Sequence, residues 1–272
     1  MSNLTQKHQP LVGEGVYGAP LGATVCPVCK AQEARFFLVK DGYTLFKCHH
    51  CDFLFAHPYP NDAVLAQHYV HNYRSATATF YPKAADRRWR GFWRSLPLAR
   101  YVVNKDVLDV GCGGGFMVEA FARLGARASG LDISENSIAY ARNRWPHYSF
   151  YCESLAAFRQ RGLLYDFVFS SEVLEHVPGP DEFMQTLAAV TKLGGFVYVS
   201  APDAGHPAVP SAIETWSDIC PPEHLQWFNA GNLALLFKQY GFKVHRRYKS
   251  KTPSHSVIFK KITEIFIEGN KE

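Results

Sequence analysis

Between residues 107 and 116 the chain reads Val107-Leu108-Asp109-Val110-Gly111-Cys112-Gly113-Gly114-Gly115-Phe116. An apolar run ending in an acid, then closely spaced glycines, then apolar residues at helical spacing, describes a strand, a tight turn and a helix. Glycine lets the backbone turn sharply there and pass close beneath a ligand. The same alternation continues downstream. Strands are predicted over 106–110, 128–132, 148–152, 166–170, 196–200 and 243–247. Helices are predicted over 116–124, from an N-cap at Ser134 to a stop at Pro146, over 182–192 and over 230–240. A last strand near 257–261 can pair antiparallel with its predecessor. Strands separated by crossover helices make an α/β protein, here a Rossmann-like sheet with helices on both faces.

Two cofactor types compete for such a glycine loop. A dinucleotide needs G-x-G-x-x-G and brings its pyrophosphate to the helix N-terminus. Here the last position of that pattern is Phe116, and Asp109 sets a carboxylate where a pyrophosphate would have to lie. S-adenosylmethionine (SAM) has no pyrophosphate and carries an ammonium and a sulfonium, which a carboxylate complements. The loop therefore favours SAM. Asp132 closes the second strand, where an acid accepts from ribose hydroxyls with either cofactor. Glu153, followed by Ser154, stands just past the third strand and can meet the adenine edge or remain a solvated loop acid.

The seven cysteines include two tight pairs, Cys26-Pro-Val-Cys29 and Cys48-His-His-Cys51, with 18 residues between them. Two such pairs at this separation have the spacing of a structural zinc site, a closed tetrahedral shell of four thiolates. Alternating segments at 34–39 and 43–47 flank Asp41-Gly42, a hairpin signal, which completes the layout of a zinc ribbon. A redox dithiol or a rubredoxin-like iron site is the alternative. Cys112, Cys152 and Cys220 read as small packing residues.

With these residues in view the chain resembles class I SAM-dependent methyltransferases. The resemblance rests on V-L-D-V-G-C-G-G-G-F, on the acid in G-L-D-I-S and on S-S-E-V-L-E-H-V after the fourth strand, and spans roughly 101–247. The last of these runs is similar to the ubiquinone-biosynthesis O-methyltransferases. The cysteine pairs, F-x-F-A-H-P-Y-P and P-E-H-L-Q-W-F-N resemble a branch with an N-terminal zinc ribbon, many of whose members act on sugars, lipid-linked intermediates or natural products. The resemblance implies that Asp109, Gly111, Gly113 and Asp132 contact SAM and that Ser170 and Glu172 line its methionine side. It also implies that Tyr69 and Tyr73 cover the cofactor. A Glu, Glu, His set like Glu172, Glu175 and His176 is linked to a divalent metal in the ubiquinone-type relatives, so a second metal, a base at His176 or a local hydrogen-bonded network are all open.

Methyl transfer asks the protein to align a nucleophile, exclude water and remove a proton. His224, in the Pro221–Phe228 loop after the fifth strand, is the first candidate base; the alternative is a histidine that caps the following helix or pairs with Glu223. The Asn/Asp-Pro-Pro-Tyr motif of many amine-methylating relatives is absent, which tilts the acceptor towards oxygen or an activated carbon.

The remaining expectations are coarse. Residues 1–20 read as a loose tail, 21–60 as the ribbon, 61–105 as a helical cap and 106–272 as the SAM-binding domain. In the cap, Trp89, Trp93 and Leu96 at i, i+4, i+7 predict a buried helical stripe with arginines on the wet face. A net charge of +5 permits an anionic substrate and does not call for nucleic acid. No membrane span or signal peptide is predicted, so the expected setting is cytoplasmic, as a monomer or homodimer. The expected partner is a small-molecule or carrier-linked metabolite, methylated at oxygen. An RNA methyltransferase whose ribbon grips nucleic acid, and a non-catalytic SAM sensor or docking protein, are the alternatives.

Overall fold

The computed structural model describes residues 23–61 and 76–264. Its larger sheet has seven strands: β4 (Asp106–Val110), β5 (Arg127–Asp132), β6 (Ser149–Cys152), β7 (Tyr165–Ser171), β8 (Thr191–Pro202), β10 (Phe242–Arg247) and β11 (Ser254–Lys261). Their spatial order is β10-β11-β8-β7-β4-β5-β6. β6, β5, β4, β7 and β8 run parallel, and β11 is inserted antiparallel between β8 and β10. The last strand therefore pairs with its predecessor as expected, and with β8 as well.

Helices α3 (Phe116–Arg123), α4 (Glu135–Arg144), α5 (Leu155–Arg159), α6 (Asp181–Val190) and α7 (Ala230–Gln239) supply the crossovers. Ser134 caps α4 by accepting from the Ser137 N–H, and Asn229 and Asn232 form a reciprocal capping box on α7. His224 is thus not a helix cap. The expected helix over 182–192 ends at Val190, and β8 begins at Thr191. Lys261 explains that early exit: its buried ammonium donates to the carbonyls of Ala188 and Thr191 at 2.9 Å each, meeting acceptors the helix end leaves open.

The cap helix α1 (Ala84–Ser95), followed by the short α2 (Ala99–Val102), corrects one expectation. Trp89 and Trp93 are 63% and 51% exposed, and Leu96 is also exposed. The buried side of α1 is instead its small residues, Gly91 and Ser95. A Cβ on Gly91 would lie 3.3 Å from the Phe116 carbonyl oxygen, so glycine is what lets α1 approach α3. Arg88 locks this contact by donating to the buried Glu119 carboxylate at 2.9 Å. Arg88→Ala leaves that carboxylate with the Arg123 guanidinium at 3.9 Å and no direct hydrogen bond from α1, and is expected to cost about 2 kcal/mol in urea unfolding; a loss below about 0.5 kcal/mol would show that the pair does not hold α1.

The smaller sheet is antiparallel, in the order β1 (Ala34–Lys40), β2 (Tyr43–Cys48), β3 (Leu54–Ala56), β9 (Gln226–Trp227). The hairpin turns at Asp41-Gly42, both in the left-handed region. The fourth strand, β9, comes from the loop that follows β8, so the ribbon is built from two distant stretches of chain. Phe53 of the ribbon packs on Phe228 with ring centroids 4.8 Å apart, and Val28, Phe46 and Phe55 belong to the same buried cluster as Leu233 and Phe237 of α7. Among the described residues no helix is long and apolar enough to cross a membrane.

Candidate active site and metal centre

The glycine loop and the two predicted cofactor acids converge at the carboxyl ends of β4 and β5. Asp132 accepts from the Gly113 N–H and the Ser134 N–H, each at 2.8 Å through a different oxygen. One bond per oxygen leaves further lone pairs for a ligand's hydroxyls. Burial pushes the Asp132 carboxyl up. Asp109, on the neighbouring strand, is buried, and burial together with the Asp132 charge pushes it up to about 8. Two close, desolvated acids make a site that attracts a cation.

Gly111 and Gly113 have φ of +76° and +49°, so side chains there would strain the backbone. Space is also absent: a Cβ on Gly111 would sit 2.3 Å from Val173 Cγ2, and one on Gly113 would sit 2.7 Å from the Tyr81 hydroxyl. Tyr81 therefore lies over the loop, held by an edge contact with Phe116 and by the Arg87 guanidinium above its ring. The sequence reading missed Tyr81. Tyr69 and Tyr73 lie outside the described residues.

Ser170 is buried at the end of β7. Beside it runs a polar chain: Arg94 donates to Ser171 Oγ at 2.8 Å, Ser171 to Ser200 Oγ at 2.7 Å, and Ser200 to the Glu172 carboxylate at 2.8 Å. Glu172 itself is in the left-handed region, at φ +56°. Arg94 thus turns towards the crevice, a placement that the amphipathic reading of its helix did not supply. Glu153 is different. Its carboxylate is gripped by Arg161 of the segment after α5, with one contact at 2.8 Å, and that pairing holds it below the usual range. Ser154 caps α5. Ile133, 73% exposed directly after Asp132, is the large apolar side chain offered at this edge.

His176 and His224, from separate loops, come together with ring centroids 4.8 Å apart. His176 Nδ1 is 2.6 Å from the Glu223 carbonyl oxygen and His224 Nδ1 is 2.9 Å from that of Asp218. A carbonyl can only accept, so in each neutral ring Nδ1 carries the proton and Nε2 carries the basic lone pair. Burial, with His224 adding to it, pushes His176 below its usual pKa. Glu175 is fully buried, and among the described residues neither carboxylate oxygen has a hydrogen-bond partner, His176 Nε2 standing 3.9 Å from Oε1; burial and Glu172 push it well above the usual range. One ligand atom each from Glu175, His176 and His224 lies within 4.8 Å of the others. Val173, whose methyl stands over Gly111, ties this turn to the glycine loop.

The four ribbon cysteines form the second cluster. Cys26 and Cys51 sulfurs are 3.7 Å apart and those of Cys29 and Cys48 are 3.5 Å apart. Zinc–thiolate bonds of about 2.3 Å in a tetrahedron put sulfurs about 3.8 Å from one another, so the arrangement fits a zinc ion. Each pair is followed by a left-handed residue, Lys30 and Asp52, whose N–H returns to the carbonyl of Cys26 or Cys48. A hydrogen bond from Cys51 holds the Cys26 thiol down to about 5, towards the thiolate a metal requires.

The model of the methyltransferase-domain family matches residues 71–247. The chain belongs to the class I SAM-dependent methyltransferases. Ubiquinone biosynthesis O-methyltransferases are among the relatives of this methyltransferase. The one from Coxiella burnetii is 31% identical over 49% of this chain and 65% of its own length. The one from Bordetella avium is 40% identical over 38% of this chain and 45% of its own length. The chain thus spans less than two thirds of these relatives. In solved structures the fold recurs in the CcbJ methyltransferase of Streptomyces caelestis (TM-score 0.54, 16% identity, covering 64% of this chain and 90% of that one). It recurs also in magnesium protoporphyrin IX methyltransferase of Synechocystis, solved with bound S-adenosylhomocysteine (SAH) (TM-score 0.53, 18% identity, 74% and 100% covered).

Proposed function

We propose that this protein transfers the methyl group of SAM to a hydroxyl of a small-molecule or carrier-linked metabolite, with the His176–His224 pair taking the proton. The observation that carries this reading is that His224 meets His176, which sits on a turn whose Val173 stands over the glycine loop. The name of the curated relatives, O-methyltransferases, supports oxygen as the accepting atom.

SAM supplies the electrophilic methyl carbon. The chain supplies the rest. Asp109 and Ser170 hold the amino-acid end, the Asp132 oxygens accept from the ribose hydroxyls, and Ile133 offers an apolar surface to the adenine face. Glu153 takes no part once Arg161 has claimed it. Glu172 is held by Ser200, which fixes the loop beneath the methionine side. His224, with Nδ1 anchored to Asp218, presents Nε2 as the base, and His176 keeps it company in a buried, weakly hydrated corner. The four cysteines hold a structural zinc.

Turnover is tested with tritiated SAM and a panel of catechols, phenols and sugars, with SAH as the readout. His224→Asn is expected to lower kcat about 100-fold while leaving SAH binding intact. A variant as fast as the parent would remove His224 from the chemistry. A divalent cation on Glu175, His176 and His224 is the second reading, favoured by three ligand atoms within 4.8 Å of one another and by a buried Glu175 carboxylate that accepts no hydrogen bond among the described residues. It requires turnover to vanish on gentle chelation that spares the four-thiolate zinc, and to return with Mn²⁺. RNA binding that weakens steeply with salt would instead favour a nucleic-acid acceptor.

A further inference from the structure

Strand β9 belongs to the ribbon sheet, yet its residues grip both histidine-bearing loops. Its backbone pairs with β3: Phe55 opposes Gln226 and Leu54 opposes Trp227. Successive side chains of a strand point to opposite faces. The fully buried Gln226 amide donates to the Leu174 carbonyl at 2.6 Å and the Val177 carbonyl at 3.2 Å, the two carbonyls that bracket His176. The Leu225 N–H adds a bond to the Glu175 carbonyl at 2.8 Å. On the other face, the Trp227 indole N–H donates at 2.6 Å to the Asp218 carbonyl, the same oxygen that anchors His224 Nδ1. Tyr59, next in chain to the ribbon, completes the clamp with its hydroxyl 3.5 Å from Gln226 Oε1.

We propose that Gln226 is a positioning residue through which the four-cysteine ribbon sets the geometry of the histidine pair. The ribbon is then part of the catalytic apparatus and not an appendage. The turn at 173–176 closes on the bond from the His176 N–H to the Val173 carbonyl, and the carbonyls of Leu174 and Val177 take an external frame. Gln226 supplies it, since an amide can satisfy two carbonyls while its oxygen accepts from Tyr59. The effect is transmitted from the cysteines through β2 and β3 to β9. A parallel tie joins the Asn232 amide to the Cys51 carbonyl at 3.1 Å, so α7 holds the same unit from behind. The inference rests on the proposed role of the histidines for its functional meaning, but the positional coupling stands or falls separately.

The test uses the zinc-loaded full chain. Gln226→Met keeps the volume and removes both donors. It is expected to retain one zinc and bind SAH within about threefold of the parent. The imidazole signals of His176 and His224, assigned by substitution and followed by nitrogen-edited NMR at fixed pH, are expected to shift and to change tautomer balance. Unmoved imidazole signals in a folded Gln226→Met protein overturn the proposal. Hydrogen exchange on the unsubstituted protein gives a second reading. Zinc chelation is expected to raise exchange at 172–177 at least tenfold together with 53–56, while β4 stays protected. Loss confined to the ribbon, or uniform loss that includes β4, contradicts the coupling. If the imidazole signals move but His224→Asn keeps full activity, the coupling holds and the assignment of the base falls.

Discussion

Asp109→Asn is expected to lower affinity for SAH by about 4 kcal/mol, near a thousandfold in Kd, while making the ligand-free protein more stable in alkali. Both signs come from one group. The carboxyl is buried beside Asp132 and titrates at about 8, far above a free aspartate. A folded-state pKa raised above the unfolded value gives stability that is full below the unfolded value, near 4. That stability is lost as pH rises through about 8. Above pH 8 the unliganded protein therefore carries an uncompensated buried charge, which asparagine removes. In the proposed binding mode the same charge pairs with the ammonium of SAM or SAH. Calorimetry with SAH at pH 8.5 and denaturant unfolding at the same pH check the two halves. A variant that binds SAH normally would place the cofactor's cationic end elsewhere.

Removal of zinc is expected to have the second large effect. Four cysteine sulfurs stand at the spacing a zinc ion needs in a short ribbon, and structural zinc sites contribute on the order of 10 kcal/mol to small folded units. Here the ribbon also shares a core with α7 through Phe53 and Phe228, so part of the packing survives the metal. Chelation or Cys48→Ser is expected to cost about 5 kcal/mol, a fall in Tm of roughly 10–20 °C for a chain of this size. Scanning calorimetry with and without a tight chelator measures it. A fall under about 3 °C would mean that the sulfurs hold no metal of structural weight.

The parts legible in the sequence were those set by local rules. The strand-to-glycine turn at 106–116, the Ser134 cap and the Asp41-Gly42 hairpin follow from short-range backbone preferences. The parallel strands follow from the alternation of strands with crossover helices. What the sequence did not disclose were contacts between distant segments. The burial of α1 by Gly91 and Ser95 escaped the periodicity, because two exposed tryptophans outweigh two small residues in any hydrophobic pattern. Gln226 lies in the P-E-H-L-Q-W-F-N run, but nothing in that run shows what its amide meets, which is carbonyls some fifty residues away. Likewise Glu153 was placed correctly past its strand, but its partner Arg161 sits one helix later and takes the carboxylate.

The account depends on a buried acid that gains a positive partner when the cofactor binds. The most direct test is calorimetric titration of SAH at pH 7 in buffers of different ionisation enthalpy. With Asp109 titrating at about 8, the free protein holds that proton and binding expels close to one proton per site. SAH that binds without proton release, or a nicotinamide dinucleotide that binds in its place, would contradict the assignment of this crevice.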